Sequence, residues 1–146
     1  MRIQVRKNNK MKTYKLTEED KRLIEIAKET IVNAYRKNHK TSTTNAAVIL
    51  TKSKRIYRGV NIEVRTSNPI SICAETGAIA SMVTDSETEI KTVVTVWLSP
   101  KKSNNWGIIP PCGACRHFLS QFGNPFVILS ENKKVRLKSL YPMETR

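Results

Sequence analysis

Three cysteines constrain this chain more than any other feature of its sequence. Cys112 and Cys115 stand at C-x2-C spacing in "CGAC", and Cys73 opens the triplet "CAE" well upstream. An odd number cannot pair off into disulfides, and the C-x2-C spacing is that of metal ligands. Both segments read as helix starts. A fold that unites the three sulfurs therefore brings two helix N-termini to one point. Such an arrangement offers oriented backbone N–H groups and two positive dipole ends to a group of thiolates. Unpaired thiols at this spacing also suit a reducing compartment, and the expected location is the cytoplasm.

The 146 residues suit one domain. Residues 1–15 read as a basic N-terminal arm, with a short strand at "RIQVR", and residues 16–146 as a single domain. Residues 16–38 read as a helix. Thr17 is its N-cap, Glu18, Glu19 and Asp20 fill its first turn, and Leu23, Ile24, Ala27, Ile31 and Ala34 recur at helical spacing. "AAVILT" and "RIYRGVNIE" read as strands joined by the turn "KSK", and a loop punctuated by Asn68-Pro69 follows. A helix begins near Cys73. "EIKTVVTVWL" is β-branched and nearly continuous, as a central buried strand should be. "SPKKSNNWGIIPP" reads as a polar loop, "CGACRHFLSQFG" as a short helix stopped at Gly123, and "FVILS" and "KVRLKSL" as final strands. The order α-β-β-α-β-α-β-β implies an α/β fold: a three-layer α/β/α sandwich around a five-stranded sheet.

Zinc takes thiolates readily and prefers four tetrahedral ligands, so the question is what stands fourth beside Cys73, Cys112 and Cys115. On a helical wheel Cys112 and Cys115 lie about 60° apart, while His117 lies roughly 140° from Cys112 and points away. His39 sits in a lysine-flanked polar loop. Glu75, two residues after Cys73, is either a fourth ligand or an acid beside an open position that holds water. In the second case zinc makes a nucleophile available near neutral pH, and a neighbouring carboxylate that accepts the proton becomes valuable.

"CAE" followed by "PCGACR" resembles the zinc-dependent cytidine deaminase superfamily, closest to the small three-cysteine cytidine deaminases and the blasticidin S deaminases. The resemblance implies a mixed sheet of that fold, zinc as cofactor, Cys73, Cys112 and Cys115 as its ligands, and Glu75 as proton shuttle rather than ligand. It further implies a small-molecule cytosine nucleoside or analogue as substrate and a homo-oligomer, most often a tetramer. "GVNIE" resembles the family segment that holds the ribose hydroxyl, which would be Asn61 and Glu63. The backbone N–H of Ala74 and the carbonyl of Pro110 would meet the ring and its amino group. The chain departs from the pattern at three places. Thr76 stands where cytidine deaminases carry Arg. Ser42 stands at the position of an aromatic that packs on the pyrimidine, and Asn45 replaces a glycine in the same stretch. These departures leave the metal chemistry intact and alter the pocket, which keeps a blasticidin S-type substrate in view.

The net charge is +14, and residues 1–60 contribute 16 − 5 = +11 of it. This balance favours polyanions, so nucleic acid is a possible partner, although the basic residues are not interleaved with aromatics as in a stacking groove. No run of 18 apolar residues is present, so no membrane span is expected, and "MRIQVRKNNKMK" lacks the apolar core of a secretory signal.

Overall fold

The computed structural model describes residues 10–37, 43–64, 70–99, 102 and 104–142. The strand expected at "RIQVR", His39, Ser42 and Asn68-Pro69 lie outside the described residues. The architecture is a mixed six-stranded sheet between helices. Its centre is β3 (Ile90–Leu98), the β-branched run, which is buried along most of its length. β1 (Asn45–Thr51) lies antiparallel along one edge of β3, with β2 (Ile56–Val60) beyond it. The other edge is shared. β5 (Phe126–Ser130) pairs in parallel at Thr92 and Val93, and β4 (Trp106–Ile108) pairs antiparallel from Val96 to Leu98. β6 (Lys133–Arg136) closes the sheet against β5.

The two-residue period of the strands sorts their side chains into two cores. Ala46, Val48 and Leu50 of β1, with Val94, Val96 and Leu98 of β3, face Leu23, Ile24, Ala27 and Ile31 of α1 (Glu18–Lys37). Ala47, Ile49 and Val93 face the opposite way, toward α2 (Ala74–Thr84) and α3 (Gly113–Ser120). Ile90 joins this second core despite its odd spacing from Val93, because the register between β1 and β3 shifts at Leu50/Thr51 and leaves Lys91 unpaired. The result is the α/β/α layering that the element order implies.

Two segments differ from their sequence reading. β4 lies inside the stretch read as a polar loop. A three-residue strand has no period to detect, and its pairing is created by the edge of β3 that β5 leaves free. Trp106, within β4, packs beside the α1 core, and Lys28 Nζ lies 3.4 Å from its ring centre. Residues 137–140, read as the end of a strand, form a helical turn, α4 (Leu137–Leu140). The Leu137 amide bonds to the Pro125 carbonyl, and Leu137 and Leu140 share an i,i+3 face toward the α2/α3 core.

α1 begins with a reciprocal cap. The Thr17 amide donates to Asp20 Oδ2 at 2.9 Å, and the Asp20 amide donates to Thr17 Oγ1 at 3.2 Å. Asp20 is buried and receives Lys134 Nζ of β6 at 2.6 Å. Tyr14 exchanges two backbone hydrogen bonds with Lys134, which fastens this part of the N-terminal segment to the sheet edge. No described helix is long and apolar enough to cross a membrane.

α2 sits on β2 through a backbone-to-backbone contact at Gly59 and Gly77. A Cβ on Gly59 would fall 2.6 Å from the Gly77 carbonyl carbon, and closer still to the Ala78 nitrogen and the Ala74 oxygen. These are backbone atoms that cannot swing aside, so the seat of α2, and with it the positions of Cys73 and Glu75, depends on that glycine. Gly59→Ala is expected to destabilise the fold by at least the ~1–3 kcal/mol of a typical overpacked site. Gly77→Ala, whose nearest neighbour would stand at 3.4 Å, should change stability by less than about 1 kcal/mol. Urea unfolding of the two variants side by side checks this.

Candidate metal centre and pocket

Cys73 and Cys112 are the N-cap residues of α2 and α3, with extended backbones (φ −74°, ψ 155° and φ −66°, ψ 170°), and Cys115 lies in the first turn of α3. A cap residue is not yet committed to the helix, so its side chain hangs over the open amide end. Two such ends meet here. The Sγ atoms of Cys73 and Cys112 are 3.8 Å apart, and all three Sγ atoms lie within 4.8 Å of one another. Tetrahedral zinc with Zn–S bonds of about 2.3 Å needs sulfurs about 3.8 Å apart, so the donor set fits the ion in both element and spacing. Among the described residues it is the one group of three His, Cys, Asp or Glu side chains so placed.

Neither alternative for a fourth ligand joins the group. His117 is exposed, with Nδ1 3.1 Å from the Tyr141 hydroxyl. Glu75 is buried and near, but it is held elsewhere. Thr95 Oγ1 donates to its Oε1 at 2.8 Å, and the Cys115 thiol donates to its Oε2 at 3.7 Å.

Burial pushes the Cys73 thiol above its ordinary range, and the charge of Glu75 adds to this. Burial also pushes Cys115 up, far more strongly, again reinforced by Glu75. At Cys112 burial acts in the same sense, but the Cys115 backbone N–H and the two neighbouring thiols outweigh it and bring the thiol down. Arg116, beside Cys115, is spent on two carbonyls. It donates from Nε to Pro111 at 2.8 Å and from Nη1 to Leu140 at 3.0 Å, clasping α3 to the C-terminal turn. The positive potential at the sulfurs comes from the two helix ends.

Beside the sulfurs opens a cavity of about 280 Å³, at the small end of ligand pockets, which run from about 300 Å³. The sulfurs, acid and substrate contacts named from sequence all line it except the buried Cys115: Cys73, Ala74, Glu75 and Cys112 on the metal side, and Asn45, Asn61, Glu63 and Pro110 around the rest; Thr76, expected to alter the pocket, is not in its lining. Asn61 is largely engaged within the fold. Its Oδ1 accepts the Thr44 and Asn45 amides, each at 2.9 Å, which ties the start of β1 to the end of β2, and its Nδ2 reaches Glu63 Oε1 at 3.4 Å. Glu63 stands exposed at the rim. Thr95 and Ile109 also line the cavity, and the sequence reading names neither. The signal for Thr95 was a hydroxyl in a buried central strand, where such groups usually find a partner; Thr92 of the same strand carries the same signal, and its Oγ1 has no partner among the described residues.

Residues 17–131 match the family described as the cytidine and deoxycytidylate deaminase zinc-binding region. A blasticidin-S deaminase of Bacillus cereus is 30% identical over 141 residues, covering 92% of this chain and 97% of that protein. A cytidine deaminase of Mycoplasma genitalium is 37% identical over 83 residues, 57% of this chain and 59% of that one. Among solved structures, the cytidine deaminase from Bacillus anthracis superposes with a TM-score of 0.71 at 22% identity, covering 84% of this chain and 86% of that chain. The cytidine deaminase from Burkholderia pseudomallei gives 0.68 at 23%, over 89% and 100%. These two similarities speak for the fold. Zinc is the cofactor that both the matched region and the three sulfurs call for.

Proposed function

The chain belongs to the cytidine and deoxycytidylate deaminase family, and from that premise we propose that it hydrolytically removes the exocyclic amine of a cytosine ring carried by a free nucleoside or nucleoside analogue. The observation that carries the reading is Glu75: a buried carboxylate beside the three sulfurs but outside their group, on the wall of a cavity of about 280 Å³. Cys73, Cys112 and Cys115 would hold the zinc, which when bound would supply an activated water. Glu75 does the proton work. Its carboxylate takes a proton from the attacking water and delivers it to N3 of the ring, then passes the second proton to the amine that leaves as ammonia. Water and substrate thus give the keto ring and ammonia, with Glu75 restored.

The rest of the cavity orients the ring. The Pro110 carbonyl accepts from the amino group, the Ala74 amide donates to the ring edge, and Glu63 at the rim, steadied by Asn61, accepts a sugar hydroxyl. Asn45 fills space near the ring that a glycine would leave open, so it shapes which bases and sugars enter. A second reading, an aminoacylated cytosine nucleoside such as blasticidin S, draws on the relative that matches nearly the whole chain and on Thr76 and Asn45.

The deciding experiment follows ammonia release from cytidine, deoxycytidine and blasticidin S with zinc-loaded protein. Turnover of cytidine or deoxycytidine is expected. Release from blasticidin S alone moves the assignment to the second reading, and no release from any of the three refutes it. Glu63→Gln is expected to raise KM for the nucleosides by about 10- to 100-fold, the worth of a hydrogen bond to a charged group, while leaving blasticidin S less affected.

A further inference from the structure

Glu75 lies at the second position of α2 with three side-chain torsions and a cavity in front of it. Left to itself, a carboxylate there rotates among several orientations, and fixing one costs rotamer entropy. One group opposes that rotation from the sheet. Thr95 is 4% exposed and Glu75 5%, and their 2.8 Å hydrogen bond is sealed from solvent. Thr95 is opposite Ala47 in the antiparallel ladder, where the small partner leaves its hydroxyl free to reach α2. Its β-branched side chain is itself stiff.

The same residue holds the far side of the cavity. The Thr95 carbonyl accepts the Ile109 amide at 3.0 Å, just beyond the β3/β4 pairing, and so pins the segment that leads into Pro110, Pro111 and Cys112. The other hydrogen bond to the Glu75 carboxylate among the described residues comes from the Cys115 thiol. A cysteine that ligates as thiolate has no S–H to donate, which leaves the Thr95 hydroxyl as the donor that orients the acid.

We propose that Thr95 is a positioning residue for the deamination, its hydroxyl holding Glu75 Oε1 so that Oε2 serves the cavity, and its carbonyl setting the Pro110 segment at a fixed distance from that acid. The inference rests on the deaminase reading of Glu75 and deepens it. The hydroxyl half predicts an effect on the chemical step rather than on substrate binding, because an orientation of the carboxylate matters most where the proton moves.

The test uses zinc-loaded Thr95→Ser, Thr95→Ala and Thr95→Val. The readouts are zinc content, thermal midpoint, kcat and KM, with calorimetric affinities for uridine and for tetrahydrouridine, whose C4 is tetrahedral and bears a hydroxyl. Thr95→Ser, which keeps the hydroxyl, is expected to stay close to wild type. Thr95→Ala and Thr95→Val are expected to lose about 10- to 100-fold in kcat, the usual loss for a group orienting a working side chain. KM, uridine affinity and zinc content should hold, while tetrahydrouridine binding weakens in step with kcat. Serine and alanine both lack the methyl group, so their difference isolates the hydroxyl even if the valine variant folds poorly. Equal kcat for Thr95→Ser and Thr95→Ala overturns the positioning role alone, as does a loss that merely tracks lost zinc. Wild-type protein inactive on every cytosine substrate counts instead against the deaminase reading itself.

Discussion

Glu75→Gln is expected to lower kcat by about 10²- to 10⁴-fold, the range for removing a general acid–base group, and to leave one zinc per chain in place. Glutamine keeps the length of the side chain and an oxygen that can accept from Thr95, so the packing around α2 survives. What it loses is the capacity to take up and release a proton at that point. Zinc retention is the part of the outcome that discriminates. The Glu75 carboxylate is bonded to Thr95 and stands outside the three-sulfur group. Removing its charge therefore withdraws no ligand. Metal analysis and steady-state kinetics on the same preparation check both halves. A variant that loses zinc in proportion to activity would mean that Glu75 is a fourth ligand and the site is a closed structural one. A variant with wild-type turnover would end its role as proton shuttle.

The three-sulfur group and the carboxylate beside it were legible in the sequence because their placement is local: cysteines at helix starts, and an acid two residues past one of them. The helix phase that turned His117 aside holds, since its ring nitrogen meets Tyr141 instead. The central strand was legible for a similar reason, as nine nearly continuous β-branched and apolar residues leave few other fates. What the sequence could not disclose is pairing across distance. β4 exists because β5 vacates part of one edge of β3. Gly59 matters because α2 lands on it. Thr95 matters because α2 carries Glu75 into its reach. The fold also shows where some of the basic side chains go. Glu19 is held below the ordinary carboxylate range by hydrogen bonds from Lys91, at 2.7 Å, and Lys54, at 3.1 Å. Lys28 is spent partly on Glu25 and the Trp106 ring. These pairs hold individual lysines in place, while the net +11 of residues 1–60, which already subtracts Glu19 and Glu25, is unchanged by them.

Zinc affinity is expected to rise steeply with pH, by at least about 10²-fold per unit through the neutral range. The sign follows from the thiols of the metal-free site. Cys73 and Cys115 are both pushed above the ordinary cysteine range, mainly by burial, so at neutral pH each carries its proton. Zinc binds thiolates, and each ligand that was protonated beforehand releases one proton on binding. Two such protons give two decades of apparent affinity per pH unit. Cys112, brought below its ordinary range, adds up to one further decade per unit while it is protonated and ceases to contribute once it has ionised. The slope therefore flattens only as pH climbs past the raised thiols. Competition with a chromophoric chelator at about pH 6.5, 7 and 7.5 measures it, with proton release followed independently in weak buffer. Removing Cys115 tests the same balance from the other side. Its sulfur is the buried one, 3.7 Å from Glu75 Oε2. Cys115→Ser should weaken zinc binding by several orders of magnitude and reduce the slope by about one decade per unit, since one proton fewer is displaced. An affinity independent of pH, or a serine variant that holds zinc as tightly as the wild type, would show that the three sulfurs do not act together as the metal's ligands.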